Sequence, residues 1–216
     1  MAEEVRTGGT AVSREAFLEA ALALGGTRRK IVAVAGAPGA GKSTLADWLV
    51  DAINARQAGS AAVLPMDGYH YDDRVLEARG DRPRKGAPHT FDVDGLAVTL
   101  ARLAADDGRD VAVPVFDRSI EIARAGARII TPEARLIVAE GNYLLLDEPA
   151  WAPLRASFAL TAMLDVPEPI LRQRLLDRWL GFGLAGDALT TKLEGNDFIN
   201  MRTVLEKSIE PDMRIM

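Results

Sequence analysis

The chain has 216 residues, 48% hydrophobic and 26% charged, with a formal net charge of −5 and no cysteine. That balance suits one sizeable α/β domain with a small lid and argues against a disordered chain. The acidic surplus argues against whole-chain attraction to nucleic acid or anionic membrane, and the missing cysteine removes disulfides, thiolate metal sites and thiol catalysis. The opening MAEEVRTGGTAVSREAF lacks the basic-then-apolar pattern of a secretion leader. No apolar run approaches the ~18 residues that span a bilayer, so the expectation is a cytoplasmic protein.

Ser13 caps a helix that runs to about Leu24 and stops at Gly25 and Gly26. KIVAVAG reads as a short buried strand, followed by a glycine-rich turn and a helix from about Lys42 to Arg56. AAVLPMDG is a second strand ending in a turn. Residues 69–90 carry many charges and few core signals and read as a long loop or lid-like excursion. DVDGLAVTLARLAADDG is a helix and DVAVPVF a strand, with a hairpin at ARII. ARLIVAEGNYLLL is a strand and turn, FALTAMLDV another strand, and PEPILRQRLLDRWLGFG a helix with Leu171, Leu175 and Trp179 at spacings of four. A last helix spans about Asp187 to Lys207, and PDMRIM forms a short final strand. Strands alternating with helices predict a three-layer α/β/α domain over residues 1–216, with a parallel sheet and a helical lid at about 172–190.

Gly36-Ala37-Pro38-Gly39-Ala40-Gly41-Lys42-Ser43 matches the G-x-x-x-x-G-K-S phosphate loop, with an apolar strand before it and a helix after it. The glycines let successive N–H groups turn inward on phosphate oxygens, and the helix N-terminus adds partial positive charge. Lys42 reaches the β- and γ-phosphates, Ser43 offers Mg²⁺ a hard oxygen, and Thr44 completes the nucleotide-binding run. Glu140 follows the apolar strand LIVA, where a phosphate-loop protein places the acid that orients Mg²⁺. The expected ligands are therefore ATP and Mg²⁺.

A phosphate loop does not choose a reaction. DVDG at 92–95 satisfies the D-x-x-G of a GTPase switch, but no strong strand precedes it and no N-K-x-D guanine reader occurs. A small-molecule kinase is the leading class. It needs an acceptor hydroxyl in line with the γ-phosphate and a group to take its proton. Asp67, at the end of the second strand, is the candidate, with a plain Asp-Gly turn as the rival reading. Tyr69 and His70 stand beside it. Arg118 follows the strand DVAVPVF and is a candidate acceptor-site residue. Arg174 and Arg178, one helical turn apart, are candidates to neutralise the transferring phosphoryl group.

MDG, APHTFD, PVFDRS and VAEGNYLLL follow the phosphate loop in that order. This order resembles the uridine kinase, pantothenate kinase and phosphoribulokinase superfamily, most of all its bacterial nucleoside/nucleotide kinase-like or "fructose transport system kinase" subgroup. The resemblance covers about Gly25 to Asp212. It implies Asp67 as catalytic base, Asp92 in the acceptor site, Glu140 on Mg²⁺ and Arg174 as the lid arginine over the phosphates. Ala87-Pro88 stands where uridine kinases have His-Pro, and the lid ends in the neutral GFGLAG, so nucleoside, sugar, sugar phosphate and pantothenate-like acceptors all stay open. The rival class is a regulatory or accessory ATPase without an acceptor. A homodimer is the expected assembly.

Overall fold

The structure, a computed structural model, describes residues 9–216. The leader reading of residues 1–8 lies outside them. Chain order runs β1 (Thr10–Val12), α1 (Arg14–Ala23), β2 (Lys30–Ala35), α2 (Lys42–Arg56), β3 (Ala61–Pro65), α3 (Asp73–Arg79), α4 (Val93–Ala105), β4 (Val111–Asp117) and β5 (Ile122–Ile130). It continues through β6 (Leu136–Gly141), β7 (Leu160–Leu164), α5 (Glu168–Gly181), α6 (Gly186–Lys192), α7 (Phe198–Lys207) and β8 (Met213–Ile215).

Six strands form one sheet in the order β1-β8-β7-β2-β6-β3. Every pairing in it is parallel. The strands of such a sheet are buried on both faces, which is why residues 31–35 of β2 and 136–139 of β6 are unbroken apolar runs. Alternation along β2 divides the core. Ile31, Ala33 and Ala35 face Leu100, Leu171 and Leu175, while Val32 and Val34 face Phe17, Leu49 and Ile53. Helices thus cover both faces, as the strand–helix alternation predicts. Among the described residues no helix is long and apolar enough to cross a membrane.

Four elements depart from the sequence reading. The strand DVAVPVF does not enter the parallel sheet. β4 pairs antiparallel with β5 as a separate hairpin that packs on the turn after β3. The 69–90 excursion is not a loop: it holds α3, capped by Asp72 and stopped by left-handed Gly80, and two short 3₁₀ turns. The last helix is interrupted by a π turn at Leu193–Asp197. β1, which pairs with β8 at the sheet edge, had no legible signal in three residues.

Candidate active site

The parallel register collects the site at one edge of the sheet. Ala35 lies opposite Gly141, and Pro65 lies opposite Glu140. The chain segments leaving β2, β3 and β6 therefore start side by side: the phosphate loop, the Asp67 turn and the Glu140 turn. Carboxyl ends of parallel strands are where such sheets bind ligands.

In the loop, Gly39 and Gly41 hold φ of +85° and +99°, which an L side chain rarely adopts. The loop therefore curls around its own N–H groups before α2 begins at Lys42. The buried Lys42 ammonium donates to the Ala37 carbonyl at 3.1 Å. Burial pulls its pKa below the ordinary lysine value, against the opposing pull of Glu140 and Asp67. Glu140 is buried, and its pKa is pushed up to about 7, first by desolvation and then by the Asp67 charge. Lys42 and a hydrogen bond from Ser43 act in the opposite direction.

This crowding tests the fit of a metal. A buried carboxylate beside a second carboxylate and a serine hydroxyl is a hard-oxygen corner, the donor chemistry that suits Mg²⁺. No cluster of three His, Cys, Asp or Glu among the described residues is placed to hold a metal alone. Ser43 and Glu140 would hold the ion together with phosphate oxygens and water, the usual manner of Mg²⁺.

Asp67 is the second residue of the 3₁₀ turn Met66–Tyr69, which directly follows β3. Gly68 next to it has a packing reason. A Cβ there would lie 2.4 Å from the Pro114 carbonyl oxygen of β4. The missing side chain lets the hairpin backbone close on the turn and carry Arg118 to Asp67, where Nη2 and Oδ2 stand 2.7 Å apart. His70 is wedged against Phe91 and Phe116, with ring centroids 4.0 and 4.7 Å away. Its Nδ1 is 2.7 Å from the Asp67 carbonyl oxygen. Burial lowers the His70 pKa, so the ring is neutral near pH 7, and a carbonyl neighbour requires Nδ1 to carry the proton.

One cavity of about 410 Å³ joins these groups: Lys42, Ser43, Asp67, His70, Arg118 and Glu140 all line it. Thr44, Asn142, Arg178, Trp179 and the π-turn residues Asn196 and Asp197 complete the wall. Asp197 accepts a hydrogen bond from the Trp179 indole, which ties α5 to the π turn across the cavity mouth.

Three expected site residues sit elsewhere. Arg174 does not face the cavity. It donates to the Gly39 and Ala40 carbonyls at 3.1 and 3.3 Å, on the outside of the phosphate loop. Leu171 and Leu175 press α5 onto the loop, and only a turn later does the helix pass the loop's rim, so Arg178 lines the cavity instead. Asp92 is the N-cap of α4 and accepts from the Gly95 N–H at 2.9 Å. Tyr69 points into the core; its hydroxyl is buried with no hydrogen-bond partner among the described residues, and burial raises its pKa. The signal for Asp92 was present, because an Asp at the start of an apolar helix reads as a cap. Asn142 was missed, although it directly follows Glu140-Gly141.

This cradle, on this sheet, defines a P-loop nucleotide-binding protein, with Asp67 and Arg118 on the wall of the same cavity. The relatives agree. The chain is 34% identical over 195 residues to a Schizosaccharomyces pombe protein provisionally named a uridine kinase, covering 86% of this chain and 82% of that one. A crystal structure from Silicibacter sp. TM1040, provisionally named a fructose transport system kinase, superposes with TM-score 0.88 at 40% identity over 95% of this chain and 100% of that one. YFH7 from Saccharomyces cerevisiae shares the fold, with TM-score 0.81 at 18% identity over 94% of this chain and 98% of that one. No family model matches the chain. The chain belongs to the uridine kinase-like family of P-loop kinases.

Proposed function

We propose that the protein transfers the γ-phosphoryl group of ATP, taken as its Mg²⁺ complex, to a hydroxyl of a small metabolite. The observation that carries this reading is the shared cavity, whose wall brings Asp67 together with Lys42, Ser43 and Glu140. Asp67 accepts the hydroxyl hydrogen and orients the oxygen for in-line attack. The bond from γ-phosphorus to the acceptor oxygen forms, the bond to the bridging oxygen breaks, ADP leaves, and the proton passes to Asp67. Lys42 holds the β- and γ-phosphates. Ser43 and Glu140 would hold Mg²⁺, which when bound would supply positive charge against the phosphates. Arg178 faces the transferring group from the lid, the role the family resemblance implied for Arg174. Arg174 braces the loop from outside.

A regulator that merely binds or hydrolyses ATP has no use for a pocket beyond the γ-phosphate. The pocket here holds Asp67 and Arg118 together, which supports the kinase. Asp67→Asn tests the assignment. Transfer to any acceptor should fall by about 10²-fold or more, while ATP binding measured by calorimetry stays within a few-fold. A fully active variant would remove Asp67 from the mechanism.

A further inference from the structure

The molecule carries net charge −5, yet the cavity wall reverses that sign. Six cations line it: Lys42, Arg82, Lys85, Arg118, Arg178 and Lys192. Four acids face them: Asp67, Glu121, Glu140 and Asp197. Most of the cations have a duty. Lys42 belongs to the triphosphate. Arg82 and Lys85 are both pinned by Asp73, at 2.8 and 2.7 Å. Lys192 stands 3.9 Å from Asp197 and lies over the Trp179 ring. The Arg178 side chain, which makes no hydrogen bond or ion pair among the described residues, lines the cavity and is assigned above to the transferring phosphoryl group.

Arg118 is different. Its one ion pair is with Asp67, the group that must take the acceptor's hydroxyl, and 60% of its side chain is exposed. An acceptor hydroxyl arriving at Asp67 therefore competes with a guanidinium already bonded there. A neutral acceptor leaves the displaced guanidinium without an anionic partner. An acceptor with its own anion gives the guanidinium another negatively charged group to donate to, and the exchange becomes nearly even.

A second polar group faces the same space. His70 lines the cavity, and because its Nδ1–H donates to the Asp67 carbonyl, Nε2 keeps a lone pair that can accept from a further hydroxyl. The wall offers little to a nucleobase. Phe116 already packs on His70 at 4.7 Å and carries the Lys85 ammonium at 5.2 Å, while Trp179 packs on Phe182 and carries Lys192.

Resting on the kinase reading above, we infer that the acceptor is a small polyhydroxylated compound bearing a carboxylate or phosphate ester, and that Arg118 leaves Asp67 to hold that anion. Asp67 then takes the reacting hydroxyl and His70 Nε2 a neighbouring one. Until such a compound arrives, Arg118 covers Asp67 and keeps water from using it, which restrains wasteful ATP hydrolysis.

The experiment measures ADP formation from ATP·Mg²⁺ by wild type, Arg118→Gln, Asp67→Asn and the double variant. Each is assayed alone and with two matched pairs of probes, glycerol against glycerate and ribose against ribose 5-phosphate. Without a probe, Arg118→Gln should exceed wild type by on the order of tenfold, the loss of one charged hydrogen bond. The double variant should fall back to the Asp67→Asn rate. In wild type the anionic member of at least one pair should stimulate ADP formation and its neutral member should not, with the stimulation lost in Arg118→Gln. Glycerate alone would mark a carboxylate acceptor, and ribose 5-phosphate alone a phosphate ester. An unchanged acceptor-free rate in Arg118→Gln, or equal stimulation by the two members of a pair, would overturn the inference. Failure of wild type to bind ATP·Mg²⁺, or full activity in Asp67→Asn, would instead overturn the kinase reading beneath it.

Discussion

Arg174 and Arg178 stand one turn apart on α5 in different surroundings, Arg174 bonded to the outside of the phosphate loop and Arg178 on the cavity wall. Arg178→Gln should lower phosphoryl transfer by about 10²-fold or more, the cost of removing a positive group aimed at developing charge. Arg174→Gln should leave kcat within a few-fold and act on the KM for ATP, since it only braces Gly39 and Ala40. Steady-state kinetics separates the two. Glu140 makes a pH prediction. Its pKa is raised from 4.5 to about 7, so the folded state binds its proton more tightly than the unfolded chain does. In the metal-free, nucleotide-free protein, this group's stabilising effect is complete below about pH 4.5, is lost as pH rises through about 7, and changes no further above that. Denaturant melts in EDTA should show that decline, and Glu140→Gln should flatten it. A decline of equal size in the variant would assign the effect elsewhere. At this scale the sequence was legible where chemistry is local. Lys42 and Ser43 come with their own loop, and Asp67 and Glu140 follow directly on apolar strands. Tyr69 and Asp92 misled because adjacency along the chain does not say which way a side chain faces. Two residues from Asp67, Tyr69 already belongs to the core.

The β4–β5 hairpin leads to Arg118, which pairs with Asp67; its sequence disclosed an extended run and a hairpin at ARII, but not that the hairpin stands apart from the parallel sheet. Strand residues do not name their partner, so VAVPVF was as compatible with the parallel sheet as with the hairpin it forms. Gly68 carries the missing information in retrospect, since it is the point where the hairpin backbone touches the Asp67 turn. Gly68→Ala would drive a Cβ into the Pro114 backbone, which cannot yield as a flexible side chain would. The variant should lose about 1–3 kcal/mol of stability in urea unfolding, as overpacking does, and should bind acceptor more weakly. Wild-type stability would mean that the hairpin moves aside freely. The π turn at Leu193–Asp197 was equally hidden, because helix periodicity continues through it. Its effect is to put Asn196 and Asp197 on the cavity wall, in keeping with the frequent use of such turns at functional sites.

For the whole molecule, the alternation of strands and helices was enough to give a parallel sheet covered on both faces, because buried parallel strands leave an unmistakable apolar run. The strand order was not legible, and it is the order that makes the site. β2 sits between β7 and β6, with β3 beyond β6, so the phosphate loop, Glu140 and Asp67 come off neighbouring positions of one edge. Ligand and fold are thereby linked. ATP·Mg²⁺ at a hundred times its Kd should stabilise the protein by about 2.7 kcal/mol, and Lys42→Ala should forfeit most of that shift in a thermal melt at the same concentration. The most direct test of the central claim is a mass comparison of small metabolites from a cell extract incubated with ATP·Mg²⁺ and either wild type or Asp67→Asn. The account predicts one hydroxylated compound that gains the mass of a single phosphate with wild type and not with the variant. ADP and free phosphate as the sole products, formed equally by both proteins, would contradict it.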